Sequence, residues 1–244
     1  MTWAWLGRVH YADAVAAMEA RRERVLAGDD SAQAVLLCEH EAVITLGRSA
    51  TRGHILAGDD ALAARGVEVH ATNRGGDVTY HGPGQLMVYP VVRVRGSVVG
   101  FLATVAGVLA EHAADLGAAG AEFRRCPAGL WLGDDKLAAC GLHLRRGISI
   151  HGWALDLATP PDAWRMIVPC GIAGRATVSV ERASGRPPPP VAEVAAKLGP
   201  AVASALADAG CVSVWRSRMP PSPALTTAAL ARSSWSTTRT TTTS

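Results

Sequence analysis

The run 74–90, RGGDVTYHGPGQLMVYP, limits what this chain can fold into more than any other stretch. Its glycines, Gly75, Gly76, Gly82 and Gly84, permit tight backbone crossings, and Pro83 stiffens the segment between the last two. From residue 86 to 92 the run turns apolar, which predicts a buried strand. A glycine-rich loop feeding a core strand is a device for laying backbone N–H groups against a ligand. The same residues could serve only as a tight turn. The polar side chains packed into the run (Arg74, Tyr80, His81, Gln85, Tyr89) favour the ligand.

The flanking sequence supplies both helices and strands. Residues 11–26 put Tyr11, Val15, Met18 and Val25 near one helical face, and Gly28 follows as a stop. Short apolar runs at 34–38 and 43–46 suit paired strands. A short helix is expected at 59–65, a strand at 67–70, and a buried helix at 98–116, apolar on most sides. Runs 130–132 and 137–142 flank Gly133-Asp134-Asp135, a hairpin signature. A further strand is expected at 148–157, a short helix at 160–164, a proline-rich connector at 186–190 and a helix at 191–209. This mixture implies an α/β domain of α+β character with mixed sheets, not a regular parallel wind. Residues 1–215 read as one catalytic domain. Residues 216–244, rich in Ser, Thr and Pro without periodicity, read as a disordered tail.

Charge usage singles out one residue. Of 24 basic residues only Lys136 and Lys197 are lysine. A chain this biased uses arginine where charge alone is needed, and arginine cannot give up its proton. Lys136, opening the apolar segment KLAACGLHL, is therefore a candidate for proton chemistry. Cys170 ends MIVPC just before Gly171. A thiol with a titratable lysine provides the parts of an activated nucleophile.

Other classes are disfavoured. The formal charge of +3 becomes −1 once the four arginines of 216–244 are set aside, so no nucleic-acid surface is expected. Five irregularly spaced cysteines without CxxC, and histidines without HxxxH, suggest neither a disulfide framework nor a metal. No apolar run reaches the ~18 residues of a membrane span, and no secretory signal is evident. The reading is a cytoplasmic protein without cofactor.

Four blocks, RGGDVTYHGPGQLMVYP, KLAACGLHL, HGWALDL and VPCGI, with CEHEAVITLGR upstream, closely resemble the octanoyltransferases. The resemblance covers roughly residues 5–212. It implies the fold shared by biotin and lipoyl protein ligases. It also implies transfer of an octanoyl group from octanoyl-acyl carrier protein to a lysine of lipoyl domains, those of 2-oxoacid dehydrogenase complexes and the glycine cleavage H protein. Cys170 would form the octanoyl thioester. Lys136 would favour its thiolate or take its proton, and would deprotonate the acceptor lysine. Arg74, Gly75, Gly76, Asp77, Val78, Thr79, Tyr80 and His81 resemble the family's substrate-binding loop, whose amides could steady an oxyanion. His81 could orient the thiol or the base, or only tie the loop together. Ala139, Cys140 and Gly141, with Gly152, Trp153 and Ala154, match segments lining the acyl site. Cys140, Asp156 and Ile44 depart from the pattern, standing where an aliphatic residue, an asparagine and an aromatic are usual. Rival readings are an ATP-dependent lipoate or biotin ligase, a thioesterase, and a carrier-protein-binding module without activity.

Overall fold

The computed structural model describes residues 1–168 and 176–212. Its elements, in order, are β1 (Thr2–Val9), α1 (Tyr11–Leu26), β2 (Ala34–His40), β3 (Val43–Leu46), α2 (Asp59–Ala64), β4 (Glu68–Ala71), β5 (Val78–His81), β6 (Gln85–Val91), α3 (Val98–Asp115), β7 (Glu122–Arg125), β8 (Ala128–Leu132), β9 (Asp135–Arg145), β10 (Ile148–Asp156), α4 (Pro161–Trp164), α5 (Val180–Ser184) and α6 (Val191–Asp208). Two mixed sheets result, as the sequence pattern requires. The larger runs β1-β2-β6-β10-β9-β8-β7 and the smaller β4-β3-β5. Each contains one parallel pair, β1 with β2 and β3 with β4.

The central strands β6 and β10 are buried at every position. Both faces of the large sheet are covered, which is why these strands read as continuous apolar runs and not as alternation. Helices α3 and α6 cover one face with Phe101, Val105, Leu109, Leu198, Val202 and Leu206. The other face takes α1 through Ala14 and Met18. The small sheet has its own core, where Ile44, Val78 and Tyr80 meet Leu62, Ala163 and Met166. Helix α3 is long and apolar enough to cross a membrane. Here it packs against α6 and β7, and Phe101, Val105, Ala106 and Leu109 have no exposure.

Two expectations change. Runs 34–38 and 43–46 do not pair with each other; β2 lies in the large sheet and β3 in the small one. Both edges of β2 are occupied, by β1 and β6. The intervening Glu41-Ala42 has no positive-φ residue of the kind a two-residue hairpin turn needs. The glycine-rich run also holds a strand of its own, β5, paired with β3. The 133–135 turn does join β8 to β9, and Lys136 follows it at once. The tail 216–244 and Cys170 lie outside the described residues.

Candidate active site

The loop between β4 and β5 crosses over β9, and two glycines make the crossing possible. A β-carbon on Gly75 would stand 3.1 Å from Leu142 O, and one on Gly141 would stand 2.9 Å from Gly75 O. The Gly75 N–H donates to Leu142 O at 3.0 Å. That amide is spent on the crossing, so the oxyanion role expected of the loop amides does not hold at Gly75. Arg74 is likewise turned to the protein. It is 7% exposed. Its Nε donates to Thr45 Oγ1 at 3.0 Å, Nη1 to Gly75 O at 3.0 Å, and Nη2 to Thr45 O at 2.5 Å and Asp77 O at 2.6 Å. One guanidinium thus clamps the loop to β3. Asp77 Oδ2 sits 2.6 Å from His54 Nδ1.

A cavity of about 460 Å³ lies beneath this crossing, within the usual range of small-molecule sites. Its wall includes Arg74, Gly75, Gly76, Asp77, Val78, Thr79 and His81 from the loop and β5. Lys136, Ala139, Cys140 and Gly141 come from β9, and Gly152, Trp153 and Ala154 from β10. Tyr80 does not reach it. Side chains alternate along β5, so Tyr80 enters the small sheet's core with its ring centroid 6.0 Å from Trp164. Tyr11, Tyr89, His151, Arg125 and Cys126 also line the cavity and were not anticipated. His151 stands directly before Gly152 in the HGWALDL block, with a positive φ of 58° that is uncommon outside glycine. Tyr11 starts a helix far away in the chain, and nothing in its periodicity aims it here.

Lys136 is 6% exposed, its Nζ 4.8 Å from the centroid of the Trp131 ring. Its own backbone N–H donates to Ala176 O at 3.1 Å, and its carbonyl accepts from Val178 N–H at 3.0 Å. The described chain therefore resumes after residue 175 alongside Lys136. Cys140 is also on this wall. Burial pushes its thiol up to about 12, although the charge of Lys136 pulls the other way. A thiol held so high is a poor nucleophile.

The opposite wall is a cluster of rings. Tyr11 lies 5.4 Å from His40 and 6.4 Å from both His81 and His151, centroid to centroid. Burial pushes His40 down to about 4 and His151 to about 3, and holds His81 well below its usual value. All three are neutral hydrogen-bonding groups at ordinary pH. His40 Nδ1 is 3.1 Å from Val9 O, and its Nε2 is 2.9 Å from Tyr89 Oη. His151 Nε2 is 2.7 Å from Asn73 Oδ1.

Residues 10–203 match the family model of the lipoyl protein ligase A/B catalytic domain. The octanoyltransferase of Solibacter usitatus is 43% identical over 172 residues, covering 68% of this chain and 76% of that protein. The chain belongs to the octanoyltransferase family. The octanoyltransferase of Myxococcus xanthus is 42% identical over 202 residues, 78% of this chain; the match spans 55% of that protein's length. That of Alkaliphilus metalliredigens is 37% identical over 185 residues, 75% of this chain and 84% of that protein. Among solved structures, a putative lipoate protein ligase from T. acidophilum superposes with a TM-score of 0.64 at 14% identity, covering 84% of this chain and 85% of that one. Lipoate-protein ligase A bound with ATP gives 0.59 at 13% identity, covering 85% and 84%. These likenesses establish the ligase catalytic-domain fold for this octanoyltransferase-family chain.

One departure from the octanoyltransferase pattern now has a place. Asp156 is 2% exposed. Its Oδ1 accepts from Gln85 Nε2 at 2.8 Å and from Thr159 Oγ1 at 2.7 Å. Burial pushes its carboxyl up to about 7 against those two bonds and the charge of Lys136. Gln85 Oε1 in turn lies 2.7 Å from His81 Nδ1. Ile44, a second departure, is fully buried in the small sheet's core.

Proposed function

We propose that the chain transfers an octanoyl group from octanoyl-acyl carrier protein to a lysine of a lipoyl domain, in the cytoplasm, through a thioester on Cys170. The observation that carries this reading is the burial of Lys136, one of only two lysines, on the wall of a cavity roofed by the glycine-rich loop. A thiol ordinarily titrates near ~8.5, so a nucleophilic cysteine needs a neighbouring cation or base. Lys136 supplies either. In the first half-reaction the thiolate displaces the carrier thiol from the acyl carbon. In the second, the acceptor amine displaces Cys170, and its proton needs a base, because a free lysine holds it up to ~10.4. Ala139, Cys140, Trp153 and Ala154 offer an apolar lining, where each buried methylene of the acyl chain is worth ~0.8 kcal/mol.

Intact-mass spectrometry after mixing the protein with octanoyl-acyl carrier protein tests this. The expected result is one octanoyl adduct on Cys170, removed by hydroxylamine and passed to a lipoyl domain. A Cys170→Ser protein that turns over at the wild-type rate sinks the mechanism. Tight ATP binding and ATP-dependent transfer of the free acid would favour a ligase instead.

A further inference from the structure

We propose that Asp156 is a positioning residue: acting through Gln85, it holds the ring of His81 with its proton on Nδ1, so that Nε2 presents a lone pair to the cavity. The chain of bonds leaves little choice. An ionised carboxylate can only accept, so the end of the Gln85 amide facing Asp156 must be its NH₂. The oxygen end then meets His81 Nδ1, and an oxygen there can only accept. Nδ1 therefore carries the ring proton, and Nε2 is the nitrogen left for the cavity that His81 lines. The fold brings the three groups together twice over. Gln85 stands opposite Asp156 in the β6–β10 register, and it follows His81 across a turn closed by Gln85 N–H to Gly82 O at 3.2 Å. Thr159 donates to the same carboxylate oxygen and fixes its orientation.

The polarity of this chain depends on Asp156 being ionised. A protonated Asp156 donates through its O–H. Gln85 can then turn its amide by half a rotation, accept that O–H with Oε1 and donate to His81 with Nε2. Nδ1 must now be the acceptor. Its proton leaves to solvent as Nε2 takes one up through the cavity, and the ring stays neutral. Among the described residues, Lys136 on β9 and Tyr80 on β5 are the titratable groups that face Asp156 electrostatically. Arg74, His40 and His151 face His81, and each opposes a charge on its ring. The shift of Asp156 toward neutrality places the reversal near physiological pH. With the lone pair on Nε2 the cavity can accept the N–H of an incoming amine or a thiol proton. With the reversed tautomer it offers a donor, and transfer slows.

Histidine-¹⁵N NMR of the full chain tests the tautomer, and octanoyl transfer tests its consequence; only the second arm rests on the transferase reading. Wild-type protein should show His81 as Nδ1–H at about pH 8.5 and as Nε2–H at about pH 6, and Asp156→Asn should show one pattern at both. The ratio of transfer rates between those two pH values should be at least about threefold smaller in Asp156→Asn than in wild type, because only the relay differs between the two proteins. Gln85→Met cuts the link and should populate both tautomers of His81. The proposal is overturned if wild type shows no change of tautomer, if Asp156→Asn switches as wild type does, or if Gln85→Met keeps Nδ1–H alone. Wild-type protein that transfers no octanoyl group at any pH would defeat the transferase reading, while the NMR arm still decides the relay.

Discussion

The two walls of the cavity handle charge in opposite ways. On the β9 side, Lys136 is buried under the Trp131 ring beside a thiol, and Arg125 stands at the rim. On the α1 side, His81 and His151 line the cavity beside Tyr11, against which His40 also packs, and burial holds all three histidines neutral. The chain has eight histidines and two lysines. The geometry gives the histidines shape and hydrogen bonds. A buried imidazole without an acidic partner loses its charge cheaply. The Lys136 side chain instead lies over an aromatic face, its Nζ 4.8 Å from the Trp131 ring centroid.

The comparison breaks first at Lys136. Lys136→Arg keeps the charge and removes the base. It should lower the octanoyl transfer rate by about 10²–10⁴-fold, nearly as much as Lys136→Ala. An arginine variant that keeps most of the activity would show Lys136 to be a fixed cation only, and the two walls would then differ in charge but not in proton transfer.

The neutral wall should show itself in acid. Its histidines have folded pKa values below the unfolded ~6.5, so the unfolded chain binds more protons and stability falls as pH drops. Between pH 6.5 and about 4 the two groups His40 and His151 together should cost on the order of 5 kcal/mol. Chemical denaturation across this window measures it. Asp156 works against that trend. Its folded pKa of about 7 lies above the unfolded 3.8, so its cost grows as pH rises through the same window and is complete above it. Asp156→Asn should therefore be more stable than wild type by about 4 kcal/mol at pH 8, with the gain fading toward pH 4. Its acid limb should also be the steeper of the two. An equal gain at both pH values would mean the carboxylate is not the source.

Smaller effects sharpen the boundary between the walls. Gly152 has φ 155°, and a β-carbon there would meet Val88 O at 2.3 Å. Gly152→Ala should destabilise by about 2–3 kcal/mol through backbone displacement in β10, read by thermal melting. The least effect is expected from ending the chain at Trp215. Melting temperature and transfer rate should stay within error, at about 0.5 kcal/mol or less, since that segment lacks apolar periodicity. A loss of rate with stability intact would give the four tail arginines a part in holding an acidic carrier protein.

Much of this molecule was legible in one dimension. Helix α1 and strand β3 begin and end where periodicity and stop residues put them, and the 133–135 turn placed Lys136 at a strand's start. These are local matters: a turn signal or an apolar stripe acts within a few residues. Strand pairing was not local. Whether β3 joined β2 depended on β1 and β6 already filling both edges of β2. Side-chain direction was not local either. Tyr80 and His81 are neighbours in one loop motif, yet strand alternation sends one to the small sheet's core and the other to the cavity.

By itself the sequence determined the class of fold and the family, and singled out the blocks that come to line the cavity. Those follow from composition and short-range pattern. Only the tertiary structure decided that Arg74 and the Gly75 amide are consumed in holding the loop, that Tyr11 and His151 join the wall, and that Asp156 reaches His81 through Gln85. Each of those depends on which buried polar group meets which partner across sheets. Burial makes an unpaired group expensive, so the pairing is settled by the packed whole and not by any segment of it.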